Sequence, residues 1–440
     1  LKIAIIGGGI CGLTTAFYLK RFSPVNNITV FETESSFGGK LKTVQKYGFS
    51  IEMSAFGFSQ NNAEFAELLK DAGLENLTIK SQEASKTKYF FDKGNLHTLP
   101  HSLAELLQSE AIGVLAKARL LMDFVLPRKK TDNDESLQKF GNRRIGNSCA
   151  NLFCDIAATA SFASTSDKLS ANAAFPQIIE MEKTNGGILK NIFTELGLNE
   201  SAAGFKDGAS GFIKALSNSF AFNKKVSTEV VKVKKTGSKW LVETSDGTTE
   251  EFDKVVLSTP SYVSSRLLKE EDETLAEQLK NIEYSPLAVV ALGYEELHHP
   301  MQGYGLVTTK RSNTQALGII WDSSIFPECA QNGRKLLRVI IGGQRNPLLA
   351  LKEEDELLRI ATGAISETMG VYEEPMLNHI TRWHKAVPNY GLEHPELIRQ
   401  IFERASKISG LHLNSSAFKG ISLNDCVKNS KETAFKIISE

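Results

Sequence analysis

The run Lys2-Ile3-Ala4-Ile5-Ile6 leads directly into Gly7-Gly8-Gly9-Ile10-Cys11-Gly12. A short apolar run of this kind reads as a buried strand. Residues 12–22 then set Leu13, Ala16, Phe17 and Leu19 on one helical face. Residues 28–32 (ITVFE) read as a second strand. Strand, glycine turn, helix and strand within the first 32 residues make a βαβ unit, and that unit requires a parallel sheet. The rest of the fold has to be built around it.

The hexapeptide matches G-x-G-x-x-G where that spacing has a physical use. Gly7 permits a tight turn, Gly9 leaves room for a pyrophosphate, and Gly12 lets helix and strand pack closely. The helix that the motif opens presents unpaired N–H groups and a partial positive charge to phosphates. Glu32 closes the second strand, where a carboxylate accepts both ribose hydroxyls of an unphosphorylated adenosine. A second glycine pair follows in Gly38-Gly39-Lys40-Leu41-Lys42 and offers another phosphate loop. On spacing alone FAD and NAD both stay open, and Lys40 and Lys42 suit a solvated strand edge equally well.

Charge narrows the partners. Lys plus Arg equals Asp plus Glu, 51 each, and a neutral chain lacks the basic excess that nucleic-acid binding uses. The five cysteines are odd in number and lack paired zinc-ligand spacing, so neither a disulfide framework nor a metal site is expected. No basic, apolar and small-residue leader precedes the first strand, and no apolar run reaches the length of a membrane span. These features together predict a cytoplasmic protein.

Further along, the chain resembles the flavin-containing amine oxidase superfamily in residues 7–19, Glu32 and residues 38–43. More specifically it resembles the protoporphyrinogen and coproporphyrinogen oxidase family of haem synthesis. The carriers are residues 88–100 (KYFFDKGNLHTLP), Glu135-Ser136-Leu137 with Phe140 and Arg143-Arg144-x-Gly146, and Leu169-Ser170, Phe175-Pro176, Glu182 and Gly186-Gly187. Residues 205–216, Ser258-Thr259-Pro260, Arg382-Trp383, residues 386–394 and Gly420–Cys426 continue it in order.

The resemblance implies FAD and an oxidation of a porphyrinogen to the porphyrin, with molecular oxygen as acceptor. It implies that Gly7, Gly9, Ile10, Cys11, Gly12 and Glu32 hold pyrophosphate and ribose, with Gly38, Gly39 and Lys40 beside the phosphates. Ser54, Ala55, Phe56 and Gly57 match the segment that passes near the flavin. Val230 matches a residue whose backbone meets adenine, and Trp383 a tryptophan near the isoalloxazine. Ile421, Ser422 and Leu423 match a turn and helix start facing the flavin, where the helix dipole favours an anionic reduced form. Lys88 and Ala160 fall on the substrate side: Lys88 where the family carries a basic residue for a propionate, Ala160 where it carries a glycine. Ser54-Ala55 and Ser415-Ser416 replace the family's Gly-Pro and Gly-Asn. No catalytic acid or base is singled out.

The implied fold is α/β. A Rossmann-type FAD-binding domain (1–60, 203–262, 405–440) interleaves with a mixed-sheet substrate domain (61–100, 263–404) and a helical domain (101–202). A flavin amine oxidase or desaturase acting on another substrate, and a non-catalytic FAD-binding homologue, are the alternative functions.

Residues 111–126 read as one helix. Val114, Leu115, Ala118, Leu121, Met122 and Val125 form a broad apolar face expected to pack on the protein. Arg119 and Asp123 form a polar strip, with Leu120 and Phe124 beyond it. With Arg128-Lys129-Lys130 following, the helix suits a peripheral membrane contact or a place between two others. His298-His299 reads as a surface turn, His384 and His394 as structural hydrogen-bonders, Cys149 and Cys154 as helical core, and Trp240 and Trp321 as core.

Overall fold

The computed structural model describes residues 1–54, 58–59, 62–131, 133–195 and 201–440. The βαβ unit forms as expected. Strand Lys2–Ile6 pairs in parallel with Asn27–Phe31 on one side and Lys254–Leu257 on the other. Asn223–Lys225 and Leu411–Leu413 complete a five-stranded parallel sheet whose strands come from distant parts of the chain. The alternation in KIAII sends Ile3 and Ile5 to one face and Ala4 and Ile6 to the other. The first face packs against helices Ile10–Phe22, Gly208–Asn218 and Leu423–Ser439. The second packs against a three-stranded antiparallel sheet, Val230–Thr236, Lys239–Thr244 and Thr249–Phe252, with Trp240 fully buried between them.

A seven-stranded mixed sheet stands beside this unit. Its order is Leu377–Pro388, Tyr284–Tyr294, Lys335–Gly342, Ala316–Ile320, Gly305–Thr308, Tyr89–Asp92 and Asn95–Thr98. A hairpin at Lys93-Gly94 closes its edge. Helix Glu354–Met369 covers one face, with Leu357, Ile360, Ala361 and Ile365 buried.

The sequence divisions differ from the packing at three helices. Helix Ala63–Ala72, grouped above with the mixed sheet, buries Phe65, Leu68 and Leu69 in the core around the parallel sheet. Helices Glu273–Lys280 and His394–Ala405 likewise bury Leu275, Leu279, Ile398 and Ile401 against the parallel and antiparallel sheets. Short amphipathic helices carry no mark of which sheet they cover, so chain order misassigns them.

The third body is helical, built on Leu137–Ile145, Asn147–Phe162 and Pro176–Asn185. Phe140, Cys149, Cys154 and Met181 lie in its core. The Glu135-to-Glu182 block is its ionic centre. Arg143 bonds Glu182 (2.5 and 2.8 Å) and Glu135 (2.7 Å). Arg144, wholly buried, donates from Nε to Asp123 (2.6 Å), whose other oxygen accepts from Ile188 N and Leu189 N.

That cluster overturns the reading of residues 111–126. The segment is a helix only over Val114–Leu121, followed by a 3-10 turn at Met122–Phe124. Arg119 donates to the carbonyls of Asn142, Arg143 and Arg144 at the end of a neighbouring helix. Asp123 is buried and Leu120 is 1% exposed, so the polar strip faces inward. The broad apolar face points out: Val114 is 80%, Leu115 87% and Val125 78% exposed. Charges with buried partners inverted the amphipathic reading. Among the described residues no helix is long and apolar enough to cross a membrane.

Candidate active site

One continuous cavity of about 1650 Å³ runs from the first glycine turn, between the two large sheets, into the helical body. Gly7, Gly9, Ile10 and Cys11 line one end. The second glycine pair meets them there: Gly38 N donates to Gly8 O (2.9 Å), and Gly9 and Gly38 form a parallel bridge. Gly7 (φ +105°) and Gly38 (φ +136°) hold conformations that side chains disfavour, so both turns depend on glycine.

The glycines divide by what a Cβ would strike. At Gly12 it would lie 1.9 Å from Gly7 O, and at Gly8 2.2 Å from the Phe37 ring. Those two hold the turn together. At Gly9 the nearest atom is Gly38 O at 4.0 Å, so its missing side chain opens the cavity itself. Gly12, expected among the cofactor contacts, sits behind the wall as a packing residue. Gly8 was not singled out from sequence, because the motif's spacing leaves its position free.

Glu32 is buried at the cavity edge, its carboxylate accepting from Gly8 N (2.9 Å) and Glu34 N (3.0 Å). Val230 also lines the wall. Lys40 lines it too, but its ammonium is engaged by the carbonyls of Lys385 (2.9 Å) and Ala386, and burial pushes its pKa down to about 8.

Ser54 and Trp383 form the middle of the cavity wall. Three successive carbonyls are gripped from the mixed sheet. Arg338 donates to Glu52 O (3.1 Å) and Ser54 O, and Trp383 Nε1 donates to Met53 O (2.9 Å). Asp322 neutralises the buried Arg338 through three hydrogen bonds. The Glu52 carboxyl is raised to about 7 by burial, against the opposing pull of Arg338. Sequence reading missed this clasp, since Asp322 and Arg338 carry no spacing signal. Ala55, Phe56 and Gly57 lie outside the described residues.

Ile421, Ser422 and Leu423 also line the cavity, at the start of helix Leu423–Ser439. Ser422 and Asp425 form a reciprocal capping box there. Lys88 and Ala160 line the far part of the cavity, among apolar side chains such as Leu99, Leu306, Ile319 and Phe175. His384, expected to be structural, lines the cavity as well and is exposed. His394 is structural: it stacks on Tyr390 at 4.1 Å and bonds Phe418 O. His298 pairs with Glu373 on the surface, and no group of three or more metal-ligating side chains forms among the described residues.

The family model for flavin containing amine oxidoreductases matches residues 10–438. The chain belongs to this family. Coproporphyrinogen III oxidase of Bacillus subtilis (strain 168) is 27% identical over 453 residues, covering 98% of this chain and 96% of the relative. Chloroplastic protoporphyrinogen oxidase of Nicotiana tabacum is 24% identical over 471 residues, covering 99% and 85%. A candidate protoporphyrinogen oxidase from Exiguobacterium sp. 255-15 has the same fold, with TM-score 0.85, 21% identity and coverage of 100% and 99%. Reduced UDP-galactopyranose mutase matches at TM-score 0.77 and 13% identity, covering 100% and 94%.

This flavin amine oxidoreductase uses FAD, and its cavity fits that group. The Gly9 face is open where a pyrophosphate needs room. The helix behind it has no side-chain cap, leaving its first N–H groups for an anion. Ser258 Oγ and Asn424 Oδ1, on residues of the same wall, are buried without a hydrogen-bond partner among the described residues.

Proposed function

We propose that the chain oxidises a porphyrinogen, protoporphyrinogen IX or coproporphyrinogen III, to the porphyrin in haem synthesis. The observation that carries this is the near full-length match to relatives named for those two reactions. The cavity supports it, because beyond the glycine turns it is lined by apolar side chains such as Leu99, Leu306, Ile319 and Phe175. When bound, FAD would supply the two-electron acceptor for three hydride-type transfers, with molecular oxygen as the final acceptor.

In this reading Gly7, Gly9, Ile10 and Cys11 bind the pyrophosphate with the N-terminal N–H groups of helix Ile10–Phe22, and Glu32 takes the ribose hydroxyls. Gly38 and Gly39 close over the phosphates, with Lys40 tying their loop to strand Leu377–Pro388. Val230 meets adenine. Ser54, held by Arg338, and Trp383 support the isoalloxazine, together with Ile421, Ser422 and Leu423. The apolar chamber excludes water and holds a flat macrocycle, Ala160 narrows it, and Lys88 faces a propionate as a point charge.

Lys88→Glu should raise the apparent KM for either porphyrinogen more than it lowers kcat, with FAD content unchanged. Steady-state kinetics on both substrates reads this directly. An unchanged KM would remove Lys88 from the substrate site.

We also propose that the outward apolar face of residues 114–125 rests on a membrane surface. Leu115 and Val125 stand in solvent, and exposed Arg128 and Lys130 follow them. Anionic liposomes should sediment the protein at low salt, and Leu115→Asp with Val125→Asp should abolish this while keeping FAD. A parent protein that never sediments would contradict the membrane contact.

A further inference from the structure

Cys11 and Cys426 are the second residue of helix Ile10–Phe22 and the fourth of helix Leu423–Ser439. Both are buried and both line the cavity beside the first glycine turn. A single hydroxyl, Ser430 Oγ, bonds the backbone carbonyls of both, at 3.0 Å to Cys11 O and 2.6 Å to Cys426 O. Helices Ile10–Phe22 and Leu423–Ser439 pack together in one core that holds both side chains. Neither sulfur is needed to bind phosphate or to move hydride.

We infer that Cys11 and Cys426 form an oxidisable thiol pair that closes to a disulfide and latches the first helix of the chain to the last beside the cofactor cavity. The neighbouring Cys11 side chain, aided by burial, holds the Cys426 thiol well above the usual cysteine range. Cys426 therefore keeps its proton, and Cys11 attacks first.

The oxidant is a peroxide small enough to enter the cavity. The Cys11 sulfur attacks one oxygen of hydrogen peroxide, the O–O bond breaks, and water leaves with the Cys11 proton, giving a sulfenic acid. The Cys426 sulfur then attacks that sulfur, and the sulfenic hydroxyl leaves as a second water with the Cys426 proton. Two thiols lose two electrons, and one peroxide becomes two waters. An enzyme that returned electrons to oxygen would generate this oxidant inside its own cavity. The latch itself does not depend on which substrate is oxidised.

The FAD-loaded protein, treated with hydrogen peroxide, alkylated and digested, should yield a dithiothreitol-sensitive cross-link between the peptides carrying Cys11 and Cys426. Free thiols in the denatured protein should fall by two from five. Cys426→Ser should leave Cys11 as the only one of the two oxidised and remove the cross-link. In unmodified sequence, Cys11 and Cys426 recovered as alkylated thiols would overturn the inference. So would sulfinic acids at those positions without a cross-link. Because the readout is a peptide mass, porphyrinogen turnover does not enter it.

Discussion

Gly9→Val should yield a folded, colourless protein. Gly9 has φ −74° and extended ψ, a conformation any residue adopts, so valine adds no backbone strain. Its Cβ would meet nothing nearer than Gly38 O at 4.0 Å. The branched side chain then stands in the space proposed for the FAD pyrophosphate. Cofactor content after denaturation should fall to background, while circular dichroism and the unfolding midpoint stay close to those of the apoprotein. Gly12→Ala is the contrasting case. Its Cβ would sit 1.9 Å from Gly7 O, so it should lose the fold itself as well as FAD. Full FAD occupancy in Gly9→Val would refute the placement of the cofactor at this turn.

The second large effect is at Asp123. Its carboxylate is the charge partner of wholly buried Arg144 and the acceptor for two backbone N–H groups. Asp123→Ala leaves all three without it. Losing one partner of a buried ion pair costs about 3–5 kcal/mol, and orphaned amides add to that. Urea unfolding should show the loss. Hydrogen exchange should place it in helices Leu137–Ile145 and Pro176–Asn185, with the parallel sheet still protected. A loss of under about 1 kcal/mol, as for an exposed ion pair, would show that the cluster does not hold the helical body.

Much of the first body was legible because its signals are local. The KIAII run, the glycine turn and the position of Glu32 each fix one feature of a βαβ unit, and all three hold in the structure. Partner choice was not legible. Nothing in residues 63–72 says that Phe65 joins the parallel-sheet core rather than the mixed sheet.

The helix at 114–121 shows a different limit. Periodicity finds the apolar side but assumes that charges seek water. Here Arg119 and Asp123 find carbonyls, amides and Arg144 inside the protein, so the apolar side is left outside. The charged members of the Glu135-to-Gly187 block prove to be this ionic scaffold, while its Leu137, Phe140 and Phe175 line the cavity. Of its charged members, Glu135, Arg143, Arg144 and Glu182, none lines the cavity. The Arg338 clasp and the shared core position of Cys11 and Cys426 were illegible for one shared reason: their members are far apart in the chain and meet only when the sheets close.

The central claim is that a porphyrinogen is the electron donor to FAD held in this cavity. Anaerobic mixing of the FAD-loaded protein with protoporphyrinogen IX, coproporphyrinogen III or a polyamine, followed at the visible flavin band, tests it in single turnovers. The account predicts that at least one porphyrinogen bleaches the flavin, with one porphyrin formed for every three flavins reduced, that the polyamine does not, and that admitting oxygen restores the band. Flavin reduced by the polyamine but by neither porphyrinogen would contradict it.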